Sequence, residues 1–392
     1  MLWADDLRRD QEARKTESLW RTRRTLNSPQ AAKVVRDGRS FLNFCSNDYL
    51  GLASHAALAD AGRDALTQWG TSSSASHMVC GHLSPHHELE RELATFLGTE
   101  TALLFSTGYM ANLAIPATFL GRNDLLLQDK LNHASLVDAA RLTRASFKRY
   151  PHADVTAAAQ HLETSTAPRK ILSTDSVFSM DGDIAPLPDL INLCEKTETL
   201  LVVDDAHGCG VLGERGAGWM DHFQVDDTNR FLTVGTLGKA LGSFGAFVAG
   251  SALYIEQLRQ TARSYIYTTA LPPHVADITR AAIKTLTEDN DRRAHLHALI
   301  ALFRQSASEL ALPLQPSITP IQPLLMGSES RALQLAEHLE ESGIWATAIR
   351  PPTVPKGTSR VRICLSAGHS KQDVYQLLEC LSLFDFNSGR PA

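Results

Sequence analysis

The sequence predicts an α/β fold: a mostly parallel seven-stranded sheet with helices on both faces, followed by a smaller C-terminal α+β domain. Three observations predict it. Seven short apolar runs lie between residues 101 and 249, most of them separated by helix-length segments. Runs of that kind read as strands buried on both faces, and their alternation with helices makes the sheet largely parallel. From about residue 285 the pattern changes to longer helices interrupted by a few strands. The spacing thus divides the chain into an N-terminal segment, 1–45, a large domain, 46–285, and a small domain, 286–392.

In order, residues 1–28 read as an N-terminal helix. Seven Arg/Lys among the first 24 residues are interleaved with Asp5, Asp6, Asp10, Glu12 and Glu17, the pattern of a solvated face. A hairpin over 34–42 turns at Asp37-Gly38. Helices follow over 56–69 and 86–97, the second stopped by Gly98. The strands are expected at 101–105, 124–128, 147–150, 170–174, 200–204, 231–234 and 245–249. Beyond them come a helix over 296–310, a strand over 321–326, a helix over 331–341, strands over 345–349 and 360–365, and a last helix after Ser370.

Composition narrows the function classes. A net charge of −5 favours neither a nucleic-acid nor a membrane surface, and no apolar run approaches the ~20 residues of a membrane span. The first ten residues hold no apolar core of a signal peptide. Six cysteines at irregular spacing read as free thiols in a reducing, cytoplasmic compartment. Cys80, His82, His86 and His87 lie close in sequence but fit no zinc spacing, so no metal is expected.

The chemistry collects after the strands, where ligands of such sheets bind. The stretch 232–242 ends a strand in glycines and hydroxyls before a single lysine, Lys239. A lysine amine desolvated on such a turn loses preference for its charged form and can make a Schiff base. Gly235-x-x-Gly238-Lys239 lacks phosphate-loop spacing, and Ala240 supplies no metal-binding hydroxyl. After strand 200–204 come Asp204-Asp205-Ala206-His207-Gly208. A carboxylate at the end of a buried strand calls for a cationic partner. A protonated pyridine nitrogen would be one, and His207 can reach a phenolic oxygen on the same ring. Gly208-x-Gly210-x-x-Gly213 matches a dinucleotide fingerprint, but four residues separate it from the strand and no helix opening follows it. Ser106-Thr107-Gly108-Tyr109 opens a helix and can offer N–H groups to a phosphate. His133 and the loop 175–182 stand at the same sheet edge. Phosphate donors, a stackable ring, an Asp–His pair and a Schiff-base lysine together form the inventory of a pyridoxal-phosphate site.

The chain also resembles a known family over nearly its whole length. The matching blocks are Asn43-Phe44-Cys45-Ser46-Asn47-Asp48-Tyr49-Leu50-Gly51-Leu52, Val177-Phe178-Ser179-Met180-Asp181-Gly182-Asp183, Asp204-Asp205-Ala206-His207-Gly208, Thr236-Leu237-Gly238-Lys239 and Tyr267-Thr268-Thr269-Ala270-Leu271-Pro272-Pro273. More specific are Ile321-Gln322-Pro323-Leu324 and Ala348-Ile349-Arg350-Pro351-Pro352-Thr353-Val354-Pro355. In these the chain is similar to the α-oxoamine synthases, fold-type I pyridoxal-phosphate enzymes. The resemblance implies Lys239 as Schiff-base lysine and proton acceptor, His133 stacked on the cofactor ring, Asp204 on the pyridine nitrogen and His207 on the ring hydroxyl. It implies Gly108, Tyr109, Ser179 and Thr236 as further cofactor residues, with Thr268 or Thr269 reaching a phosphate across a homodimer interface. It implies Arg362 as the fork for an amino acid's carboxylate, with Arg21, Asn47 and Thr353 along the acyl path. The implied reaction is a decarboxylative Claisen condensation of L-alanine with a pimeloyl thioester, carried by coenzyme A or a carrier protein; sister enzymes use glycine. The family usually carries a glycine-rich segment where this chain reads Gly70-Thr71-Ser72-Ser73-Ser74-Ala75-Ser76-His77, and serine and threonine where it has Cys80 and Cys209.

Overall fold

The computed structural model describes residues 2–225, 227 and 230–386 of the chain. Met1 and the last six residues of the expected C-terminal domain lie outside the described residues. The chain forms two compact units. Among the described residues, the smaller runs through Tyr49, adds Met180–Gly182 and resumes at Ala294; the larger takes Leu50–Ser179 and Asp183–Arg293.

The chain begins with α1 (Leu2–Thr16), which is shorter than the helix expected over 1–28. Ser18 stands at φ 57°, which breaks the helical path. The carbonyls that follow are spent elsewhere: Arg350 donates to Ser18 O and to Trp20 O, and Leu26 bridges Arg36. The hairpin of β1 (Lys33–Arg36) and β2 (Arg39–Asn43) turns as expected at Asp37-Gly38, both at positive φ, the geometry that matches strand twist.

The larger unit opens with α2 (Ala56–Trp69), a π-helical turn at His77–Gly81 and α3 (Ser84–Leu97). Strands and helices then alternate: β3 (Thr101–Phe105), α4 (Gly108–Phe119), β4 (Leu125–Asp129), α5 (Ala134–Leu142), β5 (Ser146–Tyr150), α6 (Val155–Glu163), β6 (Lys170–Asp175), α7 (Leu187–Lys196) and β7 (Leu200–Asp204). Short α8 (Trp219–His222), β8 (Phe231–Thr236), β9 (Ala246–Gly250), α9 (Ala252–Thr261), α10 (Arg263–Ile266) and α11 (Pro273–Glu288) complete it. The seven strands form one sheet in the order β3-β9-β8-β7-β6-β4-β5, in which β9 alone runs against the rest.

Side chains alternate across each strand, and both faces are covered, which is why the runs are continuously apolar. Leu126, Ile171, Val202 and Leu232 enter one core with Ile115 of α4 and Leu258 of α9. Leu125, Leu127, Leu172, Leu201 and Val203 enter the other with Leu162 of α6 and Leu190 of α7. Where β8 pairs with β9, Gly235 lies opposite Phe247, and a Cβ on Gly235 would stand 2.1 Å from the ring. Gly235→Ala is therefore expected to cost about 1–3 kcal/mol of stability by overpacking. Denaturant unfolding should show a lower midpoint at an unchanged slope.

The smaller unit takes α12 (Asn290–Glu309) from Ala294 onward and continues through β10 (Ile321–Gly327), α13 (Glu329–Glu341), β11 (Ile344–Trp345), β12 (Thr347–Ile349), β13 (Ser359–Cys364) and α14 (Lys371–Ser382). The strand expected over 345–349 is two pieces that serve different sheets. β11 adds parallel to β2, whereas β12 pairs antiparallel with β13, which also pairs with β10. Ser370 caps α14 as the sequence suggests, with reciprocal bonds between Ser370 and Asp373.

Candidate active site

At the carboxyl edge of the larger sheet, β7 delivers a buried carboxylate, Asp204. Both of its oxygens accept hydrogen bonds: Asn112 Nδ2 donates to Oδ2 at 2.6 Å and the Ala206 N–H to Oδ1 at 3.0 Å. Asn112 comes from the second turn of α4 and also donates to Ser135 Oγ at 2.9 Å. Asp175, the register partner of Asp204 on β6, accepts the His133 N–H at 2.8 Å. That bond and a 2.7 Å contact between His133 Nδ1 and Ser135 Oγ fix the imidazole at the N-terminus of α5. Burial lowers the His133 pKa, more than Asp204 raises it, so the ring stays neutral.

A second buried carboxylate, Asp205, accepts from Ser176 Oγ and, at 3.1 Å, from the Trp219 N–H. Burial pushes it up to about 7. A Cβ on Gly208 would stand 2.1 Å from Asp205 Oδ1, which explains a glycine immediately after His207. His207 is itself buried. Lys239 stands half-buried on the β8–β9 turn, closed by Leu237 N–H to Gly245 O and Ser243 N–H to Leu237 O, both 2.9 Å. Its charge bears on His133, Asp175 and Asp205. Thr236 precedes this turn; its methyl group would be 2.7 Å from a Cβ on Gly108, so the start of α4 approaches β8 closely only because Gly108 lacks one. Thr107 caps α4 by accepting the Met110 N–H, and Tyr109, largely exposed, donates its hydroxyl to Asp138. Thr268 is half-buried and Thr269 exposed; Thr269 O accepts from Ser106 Oγ at 3.3 Å.

Ser179 follows Phe178 in a loop closed by the Phe178 N–H to Asp183 O bond. That loop is clamped by His152, whose Nδ1 meets Asp129 at 3.1 Å and whose Nε2 meets Asp183 at 2.9 Å. Burial alone would lower the His152 pKa, but bonds to the two carboxylates outweigh it and raise it from 6.5 to about 10. A raised histidine stabilises the fold fully below pH 6.5, and the contribution is lost as pH climbs through about 10. Wild type should lose stability over that window, and His152→Gln should flatten the decline. Denaturant unfolding at pH 6 and pH 10 checks this.

In the smaller unit, Arg362 on β13 is buried. Its Nη1 and Nη2 donate to Asn47 Oδ1 at 3.0 and 3.1 Å, and Nη2 reaches Tyr49 OH at 3.3 Å. Its Nε has no partner among the described residues. Separately, Arg21 donates to Thr353 Oγ1 at 2.9 Å on the surface. The four expected substrate residues of this unit thus fall into two pairs. Asn112, Asp175, Asp205 and Ser135 are not assigned from sequence; Asp175, Asp205 and Ser135 stand at strand and helix ends, the one available signal, and Asn112 in the second turn of α4 offers none.

A sheet carrying a lysine turn, a strand-end aspartate and a neutral capping histidine on this topology defines a fold-type I transferase class. Residues 39–381 match the aminotransferase class I and II family, to which the chain belongs. Within it the chain groups with the 8-amino-7-oxononanoate synthases. It is 52% identical over 368 residues to the enzyme of that name from Cellvibrio japonicus (94% of this chain, 92% of the relative). To that from Thioalkalivibrio sulfidiphilus it is 50% identical (96% of each chain). Among solved structures, 8-amino-7-oxononanoate synthase from Francisella tularensis is 32% identical with a TM-score of 0.76, covering 87% of this chain and 97% of that one. Serine palmitoyltransferase from Sphingomonas wittichii is 30% identical with a TM-score of 0.90 over 96% of each chain.

Proposed function

We propose that the protein is a pyridoxal-phosphate-dependent acyltransferase of biotin synthesis. It condenses L-alanine with a pimeloyl thioester and yields 8-amino-7-oxononanoate, CO2 and free thiol. The observation that carries this reading is the grouping of Asp204, Asp175, His133 and Lys239 at one sheet edge. Two adjacent buried carboxylates beside a neutral ring fit a group that brings a cation and a flat face, as a protonated pyridine does. The close approach of Gly108 to Thr236 suits a phosphate held by the first turn of α4.

When bound, pyridoxal phosphate supplies an electron sink for charge developing at the alanine Cα. Asp204, locked by Asn112 and the Ala206 N–H, would hold the pyridine proton; His207 would donate to the ring oxygen and His133 would cover the ring. Tyr109, Ser179 and Thr236 complete the hold, with Thr268 or Thr269 of a second copy serving the phosphate. Lys239 would hold the cofactor through its amine and would serve as the base for the alanine Cα proton. With that proton removed, the alanine Cα would bond to the thioester carbonyl carbon as the thiol leaves; the alanine carboxyl would then depart as CO2 and a proton return to the same carbon. Arg362 receives that carboxyl group through its fork, and Arg21, Asn47 and Thr353 follow the acyl chain.

Large apolar side chains left exposed on the larger unit, Val79 and Tyr267 among them, support a homodimer. Among the described residues no helix is long and apolar enough to cross a membrane, and a cytoplasmic location is proposed. The test is a panel of purified protein with L-alanine or glycine against pimeloyl, acetyl and succinyl thioesters. Product from alanine and pimeloyl-CoA or pimeloyl carrier protein supports the reading; turnover with glycine alone moves the protein to a sister activity. Lys cannot reproduce a bidentate fork, so Arg362→Lys should raise the KM for alanine roughly 10- to 100-fold with a smaller change in kcat. Initial rates across alanine concentrations check it.

A further inference from the structure

The larger unit holds a second cluster of chemistry-bearing side chains, made of none of the residues assigned to cofactor or substrates. The π-helical turn His77–Gly81 leads through His82 into α3 and gathers imidazoles that sequence spacing does not connect. His77 Nδ1 and His82 Nδ1 stand 2.9 Å apart. The ring centroids of His77, His82 and His86 lie 5.1 to 5.7 Å from one another, and each offers one ligand atom within 4.8 Å of the others.

The rings are held from behind. His77 stacks on Tyr265 at 5.0 Å, and His86, fully buried, donates from Nε2 to Leu271 O at 2.6 Å. That bond fixes the His86 tautomer and leaves Nδ1 as the ring's acceptor, which now takes the Leu83 N–H at 2.9 Å. Carboxylate–imidazole–metal sites use the same device, an acceptor behind the ring that aims it.

We propose that His77, His82 and His86 form a binding site for one divalent transition-metal ion of the zinc class, with water completing the coordination. Three nitrogen donors without a carboxylate favour zinc, nickel, cobalt or copper over magnesium or calcium. Nitrogens sharing a tetrahedral zinc at about 2.0–2.1 Å sit roughly 3.3 Å apart, so His77 and His82 need open by only a few tenths of an ångström. Their two Nδ1 atoms now share one proton; on metal binding the ring that carries it shifts it to Nε2, and His86 exchanges the Leu83 N–H for the ion. Three neutral imidazoles then hold the ion without net proton release. The site would brace the segment that carries Thr268 and Thr269, because Ser76 bridges Thr269 and the Ala270 N–H donates to Ala75 O at 2.9 Å.

The test uses untagged, cofactor-loaded full-length protein stripped with chelator, titrated calorimetrically with Zn2+ and followed by visible absorption with Co2+. One equivalent should bind with Kd at or below about 10 µM. Affinity should fall at least tenfold in the His77→Ala/His82→Ala variant and stay within about threefold in Cys80→Ser and His87→Ala, neighbours whose side chains could bind metal by themselves. Activity without added metal should be unchanged in these variants. No binding below about 100 µM, binding undiminished in the double variant, or loss of binding in Cys80→Ser would each overturn the proposal.

Discussion

Replacing Lys239 with alanine is expected to reduce turnover by at least about 10³-fold while leaving the protein folded. The turn that presents this lysine is closed by backbone bonds between Leu237, Ser243 and Gly245, so its shape does not depend on the side chain. The amine serves both as anchor and as proton acceptor, and no neighbour duplicates it: His133 is spent on Ser135 and Asp175 accepts from the His133 N–H. Removing its charge from beside Asp175 and Asp205 could itself disturb the site. Lys239→Arg separates the two effects, because a guanidinium keeps the charge and cannot act as the nucleophile. Both variants should fail in turnover, and borohydride should fix the cofactor covalently to wild type but to neither variant. Turnover within tenfold of wild type in either one would falsify the role given to Lys239.

Asp204→Asn should cost roughly 10²–10³-fold or more in kcat, together with weaker cofactor binding. The substitution is nearly isosteric, but its hydrogen-bond inventory is wrong. Asp204 accepts at both oxygens, from Asn112 and from the Ala206 N–H, whereas an asparagine has one acceptor and one donor group. One of the two donors must then face another N–H, at a cost of about 1–3 kcal/mol. The new amide carries no negative charge to keep a pyridine nitrogen protonated. Cofactor titration and steady-state rates read the two losses separately; an unchanged kcat would remove Asp204 from the mechanism.

Much of this was legible in the chain because the physics is local. A strand buried on both faces must be apolar throughout, so 101–105 and 200–204 match the observed strands residue for residue. Asp37-Gly38 carries its own turn, Gly98 ends α3 in the left-handed conformation, and Lys239 stands between two such strands. What was not legible depends on distant partners. The chain after Thr16 leaves the helix because Arg350 takes its carbonyls 332 residues away. The strand near Ala346 splits because each half finds a different sheet. Asn112 supports Asp204 across 92 residues, and nothing in its own neighbourhood distinguishes it from a helix-interior asparagine. His77 joins His82 and His86 only because a π-helical turn intervenes, a local geometry that amino-acid spacing does not announce.

The most direct measurement of the central claim follows the fate of the alanine carboxyl group. Purified protein with pyridoxal phosphate, pimeloyl-CoA and L-alanine labelled with 13C at the carboxyl carbon should release labelled CO2 in step with 8-amino-7-oxononanoate that carries no label. Labelled carbon retained in the product, or nitrogen transferred without any CO2, would contradict the condensation and leave an aminotransferase-type reaction in its place.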